Sequence, residues 1–325
     1  MTKQQPTWAI VATVDEPPAL VQAFVAWHLA LGAAEVMLYF DRPDDPAAAL
    51  FSHLDAVSVI RCDAAHWERL AGRRPDKHEI RQVRNATNAY RHMQSDWLLH
   101  ADADEYLWAD GSVAAALEQA GSGTDCLVVP VAERVFADDA PAETIFAGAF
   151  RRPARKGQET DGGLTLRGLT GHANGKAFTR RDRRVEVSIH RARGLKRGDV
   201  PTEAAQGLEL LHFDGLTPLN WVYKLLRKAD AVAHHNGMAA SLHRQAQIDA
   251  VQADPIAAFA LHDRLKRPDV DRLRAKGLLA EPSFDPAEAL ARYFPGERID
   301  LSPQAIDAWL RREKRDVLAG LAQGQ

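Results

Sequence analysis

The chain contains 325 residues, of which 46% are hydrophobic and 26% are charged, and its formal net charge is −3 at pH 7. This balance is ordinary for a folded globular protein with one large domain or two smaller ones, and it argues against wholesale disorder. It also argues against a general polyanion binder, so nucleic acid is not an expected partner, although residues 151–197 hold a local excess of arginine and lysine that could meet a smaller anionic ligand.

Cysteine content and apolar run lengths bear on the cellular compartment. The two cysteines, Cys62 and Cys126, each lie in an apolar run and form neither a disulfide framework nor a zinc spacing. The N-terminal MTKQQPTWAIVATVDEPP lacks the apolar core of a signal peptide, and no run of about 18 apolar residues occurs. We therefore expect no export and no membrane span, and we predict a reducing, cytoplasmic location.

Short apolar runs alternate with helical patterns in the first 137 residues. Predicted strands cover residues 8–14, 35–40, 57–62, 97–101 and 125–131. One predicted helix starts at Pro17, a second lies between the second and third strands and ends near Leu54, and two more cover residues 78–94 and 113–119. Residues 63–77 read as a polar loop. This alternation predicts a parallel sheet with helices on both faces. Ligands bind beyond the carboxyl ends of the strands in such sheets, where Thr13, Asp15, Asp41 and Asp102 fall.

The fourth predicted strand stops abruptly at an acidic segment, WLLHADADEYL, residues 97–107. Alternate residues of an extended chain point the same way, so Asp102 and Asp104 would face one ligand together. Two close carboxylates raise each other's pKa unless a cation lies between them, and Mg²⁺ or Mn²⁺ prefers such oxygen ligands. The alternative is an ordinary strand end followed by a solvated acidic turn.

The pattern changes after Ala137. Short predicted strands cover residues 144–150, 164–169, 176–179, 185–189 and 208–213, and predicted helices cover residues 219–235 and 241–266, with two shorter ones near Ala287 and Gln304. We therefore predict an α/β protein with a catalytic domain at residues 1–217 and a helical C-terminal extension at residues 218–325.

Several short motifs together resemble glycosyltransferases of the GT-A fold, in particular the family 2-like subgroup with a DxDE motif. DWLLHADADEYL resembles the subgroup's strand and DxDE, and VRNATNAYRHMQSDW resembles the helix that leads into it. Further likenesses are found in VATVDE, AFVAWHLALGAAEVMLYFD, GKAFTRRDRRVEVSIHRARG and LELLHFDGLTPLNWVYKLLRK. The resemblance covers roughly residues 8–228, and it implies a Rossmann-like, mostly parallel sheet.

The resemblance also implies an activity, namely metal-dependent, hexosyltransferase-like transfer of a sugar from a UDP- or GDP-linked donor to a carbohydrate or other hydroxyl acceptor. Asp104 would be the main ligand of Mn²⁺ (or Mg²⁺), and Asp102 would contact the ribose or a metal-bound water. His212 would be the third ligand, with a structural histidine as the alternative. An imidazole ligand favours Mn²⁺ over Mg²⁺.

Other residues would surround the donor. Thr13 and Asp41 would border the nucleoside. Arg84 would hold the diphosphate or the DxD carboxylates, with a helix-surface salt bridge as the alternative. Lys176 would face the phosphates, with solvated surface charge as the alternative.

An inverting transfer needs a carboxylate that deprotonates the acceptor hydroxyl. Glu133, just past the predicted fifth strand, is the first candidate, and Asp138 or Asp139 would be the substitutes.

Three other functions compete with this one. A phosphohydrolase is disfavoured because its acidic pair normally follows the first strand, whereas here the pair follows the fourth and is continued by Glu105 and Tyr106. Sugar nucleotidyltransferases carry a Gly-rich, basic loop after the first strand, and VATVDEPP contains no such loop. A non-catalytic sugar- or nucleotide-binding protein that keeps the fold stays open.

Overall fold

The computed structural model describes residues 5–137, 142–155, 163–196, 198–234 and 240–321. Its strands are β1 (Trp8–Val14), β2 (Glu35–Phe40), β3 (Val57–Arg61), β4 (Trp97–His100), β5 (Glu105–Ala109), β6 (Cys126–Val129), β7 (Val131–Val135), β8 (Ala149–Arg151), β9 (Lys176–Arg180), β10 (Val185–Glu186), β11 (Arg193–Gly194), β12 (Thr202–Ala204), β13 (Leu208–His212) and β14 (Leu279–Ala280). Its α-helices are α1 (Pro18–Ala30), α2 (Ala64–Ala71), α3 (His78–His92), α4 (Val113–Glu118), α5 (Pro218–His234), α6 (Leu242–Ala253), α7 (Ala257–Lys266), α8 (Val270–Ala275), α9 (Ala287–Tyr293), α10 (Pro303–Glu313) and α11 (Arg315–Leu318). Two 3₁₀ helices cover Pro46–Phe51 and Ala319–Leu321.

The chain divides into two compact units with interleaved boundaries. The first unit comprises Met1–Pro130, Asn174–Leu210 and Pro286–Arg298, and the second comprises Val131–Ala173, Leu211–Asp285 and Ile299–Gln325. The predicted domain boundary after residue 217 falls inside the second unit. The division into a catalytic domain at residues 1–217 and a helical extension at residues 218–325 stays a prediction.

The first unit is built on a seven-stranded sheet with the order β12-β6-β9-β4-β1-β2-β3. Strands β4, β1, β2 and β3 run parallel, as do β12 and β6, and β9 runs antiparallel to both β4 and β6. The prediction of an α/β protein with a mostly parallel sheet is confirmed.

Local sequence explains the first elements of this unit. All seven residues of β1 are buried, as expected of a parallel strand that is covered on both faces. Helix α1 begins with Pro18 in its first turn, where the missing N–H costs nothing. Gly32, at φ +92°, follows the end of α1 in a left-handed conformation that other residues rarely adopt.

His28 of α1 is a core histidine. Its Nδ1 lies 2.7 Å from the carbonyl oxygen of Phe24, and its Nε2 accepts a hydrogen bond from the backbone N–H of Leu107 at 3.2 Å. These two contacts require the neutral ring with its proton on Nδ1. Burial accordingly lowers the pKa of His28 to about 3, against the backbone hydrogen bond, which raises it.

The prediction of a polar loop at residues 63–77 is wrong, because α2 forms within it. The Asp63 side chain caps this helix by accepting the backbone N–H of His66 at 2.8 Å. Gly72, at φ +76°, ends the helix, and Trp67 is buried.

In the second unit, β7 pairs antiparallel with β8, which pairs antiparallel with β14. The predicted fifth strand is two strands, because the chain leaves β6 at Pro130 and re-forms as β7. Glu133 therefore lies in the middle of β7, opposite Arg151, and not past a strand end. Residues 164–169 were predicted as a strand but form turns with one bridge between Leu166 and Leu169.

Helices supply the core of the second unit. The apolar faces of α5, α6 and α7 meet around Trp221, Leu225, Val251 and Leu265. The single helix predicted over residues 241–266 is interrupted where the Asp254 side chain accepts the N–H groups that begin α7. Among the described residues, no helix has the length and apolarity needed to cross a membrane.

Candidate active site

The carboxyl ends of β1 and β4 form the site framework in the first unit. The chain builds β1, β2 and β3 outward on one side of β1 and then returns to its other side with β4. Ligands of open α/β sheets bind at such a reversal of strand order. Thr13 stands near the end of β1, and Asp102 follows the end of β4. The Thr13 hydroxyl accepts a hydrogen bond from Asn85 Nδ2 of α3 at 3.0 Å, which fixes its orientation.

Asp102 contacts a buried ammonium group. Its Oδ2 lies 2.9 Å from Lys176 Nζ, and its Oδ1 accepts a hydrogen bond from the Gln82 amide. Lys176 Nζ also lies 3.1 Å from Glu105 Oε2. Both Lys176 and Glu105 are fully buried, whereas the Asp102 side chain keeps 32% of its surface exposed. The exposed part of Asp102 is the part that a ligand can reach.

Strand register explains how Lys176 reaches this position. Strand β9 runs antiparallel to β4, with Leu99 opposite Phe178 and Trp97 opposite Arg180. Continued by two residues, this register brings Lys176 opposite Ala101, next to Asp102. Arg180 lies at the far end of β9, where it stacks on Trp97 at 4.2 Å and donates to the Thr124 carbonyl.

The contact with Lys176 keeps Asp102 ionised. Burial would raise the pKa of Asp102, but the charges of Lys176 and His100 and the hydrogen bond from Lys176 outweigh it and hold that pKa well below its usual range. Burial likewise pulls the pKa of Lys176 down, but attraction to Asp102 and Glu105 raises it overall. Lys176 and Asp102 therefore form an ammonium–carboxylate pair at neutral pH, with Glu105 Oε2 on the other side of the ammonium.

Glu105 and Asp104 have different surroundings within the turn after β4. Glu105 Oε2 accepts the backbone N–H of Asp102 at 2.8 Å, and the Glu105 N–H donates to the Asp102 carbonyl at 3.0 Å. The final acid of DxDE thus closes the turn that presents the first one. Asp104 is 6% exposed and lies between them in the chain.

Asp41, at the end of β2, binds an arginine in a bidentate geometry. Arg81 Nε and Nη2 donate to its two oxygens at 2.8 Å each, and Arg74 lies 3.0 Å away. Burial would raise the pKa of Asp41, but hydrogen bonds from His78 and Arg81 and the charges of Arg81 and Arg74 lower it. Arg84 lies one turn further along α3, about half exposed, 3.7 Å from Glu186. The structure therefore brings Arg81, which no sequence motif marks, to Asp41.

Glu133 forms a buried ionic network in the second unit. Its Oε1 accepts from the N–H and the hydroxyl of Thr170 at 2.8 and 2.9 Å and from Lys266 Nζ at 2.9 Å. Its Oε2 accepts the Gly171 N–H at 2.6 Å, and Arg151 lies 4.0 Å from Oε1. Burial would raise the pKa of Glu133, but Lys266 above all, together with Arg151 and His212, lowers it to about 2. Such a saturated carboxylate is suited to anchoring β7, and its role as a base stays a prediction.

His212 ends β13 beside a second imidazole in the second unit. The His172 and His212 rings stack with their centroids 5.0 Å apart, and each offers a ring nitrogen within 4.8 Å of the other. A Cβ on Gly171 would lie 2.6 Å from His212 Cε1, so a glycine is needed for the His212 ring to lie there. His172 was missed because a lone histidine in a polar turn carries no distinguishing pattern. Asp138 and Asp139, the substitute bases, lie outside the described residues.

Comparisons with known proteins find only weak structural similarity. No family model matches the sequence, and no curated protein matches it. Among solved structures, the chain is similar to HddC from Yersinia pseudotuberculosis, with a TM-score of 0.29, 10% identity and coverage of 64% of this chain and 77% of that one. It is also similar to a 4-diphosphocytidyl-2C-methyl-D-erythritol synthase, with a TM-score of 0.30, 14% identity and coverage of 55% and 76%. For S. aureus TarS 1–349 the TM-score is 0.34, the identity 12% and the coverage 98% and 92%. At such TM-scores these likenesses say nothing about activity.

Proposed function

We propose that the chain is a metal-dependent glycosyltransferase that moves a sugar, with inversion, from a UDP- or GDP-linked donor to a carbohydrate or other hydroxyl acceptor. The observation that supports this most is the position of the DxDE segment, Asp102 to Glu105, directly after β4 and beside β1. That is the edge at which an open α/β sheet binds its ligand.

The acidic residues fit a hard divalent cation. Mn²⁺ and Mg²⁺ take ionised oxygen ligands, and the lowered pKa of Asp102 supplies one at neutral pH. Asp104 is the proposed main metal ligand, and Asp102, whose oxygens accept hydrogen bonds from Lys176 and Gln82, is the proposed contact to the ribose or a metal-bound water. His212 is the third proposed ligand. When bound, the metal would neutralise the diphosphate leaving group.

The remaining residues would bind and orient the donor. Thr13, held by Asn85, and Asp41, held by Arg81, would border the nucleoside. Lys176 would add a fixed positive charge on the phosphate side, where preorganised charge in a dry site is most effective. Arg84 would bind the diphosphate after leaving its exposed contact with Glu186, which is too weak to hold it.

Glu133 is kept as the proposed general base, and its assignment is tested separately. An effective base has a pKa near the working pH, whereas the pKa of Glu133 is about 2. Turnover retained in a folded Glu133→Gln variant would remove this residue as the base without touching the rest of the proposal.

The experiment is release of UDP or GDP from a panel of nucleotide sugars, with and without Mn²⁺. Mn²⁺-dependent release, stimulated by an acceptor, is expected. Metal-dependent nucleotide binding without turnover would indicate the non-catalytic binding protein, and formation of nucleotide sugar from a sugar phosphate and UTP or GTP would indicate the nucleotidyltransferase. Either result would overturn the proposed activity.

A further inference from the structure

The second unit contains a cavity of about 260 Å³ that is separate from the residues proposed above for donor and metal. Its walls are the end of β8, the turn at residues 166–169, the last turns of α7, and α8 with the residues that follow it. Its lining cations are Arg151, Arg152, Arg167, Arg264, Arg272 and Lys276. Within the lining that the structure describes, Asp269 is the acidic side chain that faces them.

The wall around Arg151 is a built structure and not an accident of exposed side chains. Arg151 is only 8% exposed, and its guanidinium is held beside Glu133 at 4.0 Å. Gly168, at φ +88°, lies beside this side chain, and a Cβ there would be 3.6 Å from Arg151 Cδ, in ordinary van der Waals contact. Arg167 adopts φ +56°, a left-handed conformation that is uncommon outside glycine.

Backbone hydrogen bonds fix the neighbouring cations. The Arg167 carbonyl accepts the Ala154 N–H at 2.8 Å, and Arg167 Nε donates to the Ala154 carbonyl at 2.5 Å. The Arg152 N–H donates to the Leu278 carbonyl at 2.7 Å, which ties the end of β8 to the chain after α8. Arg152 and Arg167 therefore start from anchored backbone positions.

The charge balance of this cavity favours an anion. Glu133 offsets part of the Arg151 charge, and Asp269 uses Oδ1 to cap α8 by accepting the Arg272 N–H at 2.9 Å. Within the described lining, six basic side chains stand against one acidic side chain. A concave surface lined by one sign of charge concentrates counter-ions, and guanidinium groups match the geometry of phosphate oxygens in a bidentate way.

We propose that this cavity is a binding site for a phosphate group, either free or as the ester end of a larger ligand. Its volume lies just below the range of about 300 to 1,000 Å³ that is typical of drug-sized ligands, so it suits a compact oxyanion better than a whole nucleotide sugar. The inference does not depend on the glycosyltransferase proposal.

Calorimetric titration of the full-length chain with inorganic phosphate tests it, at low ionic strength and with EDTA present so that no metal contributes. Saturable binding is expected. Arg264→Gln with Arg272→Gln should weaken it by about tenfold or more, because the change removes two charged hydrogen-bond donors to the anion. A variant with Arg264→Gln and Arg272→Lys, which keeps the charge at position 272, should bind phosphate more tightly than the double glutamine variant.

Arg274→Gln is the matched control. Arg274 is on the same helix as Arg272, is exposed, and pairs with Asp271 at 2.7 Å outside the cavity lining. Arg274→Gln should leave the affinity for phosphate within about twofold of wild type, and Asp104→Ala should do the same. Loss of the phosphate site can therefore be distinguished from loss of the proposed metal and donor site.

Two probes resolve the source of the phosphate. Glycerol 3-phosphate that binds more tightly than inorganic phosphate would support a phosphate ester, and the reverse order would support free phosphate. The proposal is overturned by absence of saturable phosphate binding, by equal binding in the folded double variant and wild type, or by acetate that binds as tightly as phosphate.

Discussion

Lys176 Nζ lies 2.9 Å from Asp102 Oδ2, although 74 residues separate the two in the chain. This contact joins the first acid of the DxDE segment to the start of β9, and it brings an internal cation to the residues proposed to bind a metal.

Replacement of Lys176 by methionine should destabilise the protein by about 3 to 5 kcal/mol, because it leaves the fully buried Glu105 carboxylate and Asp102 without their ammonium partner. Urea unfolding measures this. Lys196→Met, which removes an exposed lysine, is the control and should cost less than about 0.5 kcal/mol.

Mn²⁺ should restore part of the stability of Lys176→Met, because a divalent cation can take the place of the ammonium between the carboxylates. An equal effect of Mn²⁺ on wild type and variant would show that the cation does not take the place of the Lys176 ammonium.

Glu133→Gln should lower the free energy of unfolding by about 3 to 5 kcal/mol, since it leaves Lys266 buried without its counter-charge. Lys266→Met should cost a similar amount, and the double variant should cost less than the sum of both. Glu281→Gln, at an exposed pair with Arg274, is the control and should cost at most about 1 kcal/mol. Additive losses in the double variant would contradict the coupling between Glu133 and Lys266.

Elements with strong local signals could be predicted from the sequence, and contacts between distant segments could not. Strand β1 and helix α1 follow from a continuous apolar run and from Pro18 with Gly32. Helix α2 was missed although Asp63 and Gly72 mark its ends, because its few apolar residues resemble a polar loop.

The same distinction between local signals and distant contacts applies to the residues of the site. The position of Asp102 after β4 is encoded locally, by an apolar run that stops at acids. The Lys176 contact depends on the β4–β9 register, and the place of Glu133 inside β7 depends on a strand break at Pro130, which an apolar run does not reveal. Neither leaves a local pattern.

Gly171→Ala should displace His212, because the added Cβ would lie 2.6 Å from the imidazole. We expect a loss of about 1 to 3 kcal/mol in stability and, if His212 is a metal ligand, weaker Mn²⁺ binding. Gly123→Ala is the control, since a Cβ there meets nothing within 4 Å. Normal stability and metal binding in Gly171→Ala would argue against the packing described for His212.

Stability should fall as the pH drops below about 6.5. Burial lowers the pKa of His28 to about 3 and that of His262 to about 3, and burial with the charge of Lys176 lowers that of His100 to about 4. Between these values and the unfolded pKa of about 6.5, the unfolded chain binds more protons than the folded one, so each histidine costs up to about 1.4 kcal/mol per pH unit of acidification.

Urea unfolding at pH 7.5, 6, 5 and 4.5 checks this dependence. His28→Leu should reduce the slope of the free energy of unfolding against pH by the contribution of one histidine. His92→Gln, at an exposed position, serves as the control. A stability that is constant across this window would contradict the buried neutral histidines.

The DxDE segment is proposed to bind a divalent cation together with a nucleoside diphosphate. Calorimetric titration of UDP and GDP into wild type and Asp104→Ala, each with and without Mn²⁺, tests it most directly. We predict nucleotide binding that requires Mn²⁺ in the wild type and is weakened about 100-fold or more in Asp104→Ala, while urea unfolding shows that the variant stays folded. Nucleotide binding that is independent of Mn²⁺, or equally tight in Asp104→Ala, would contradict it.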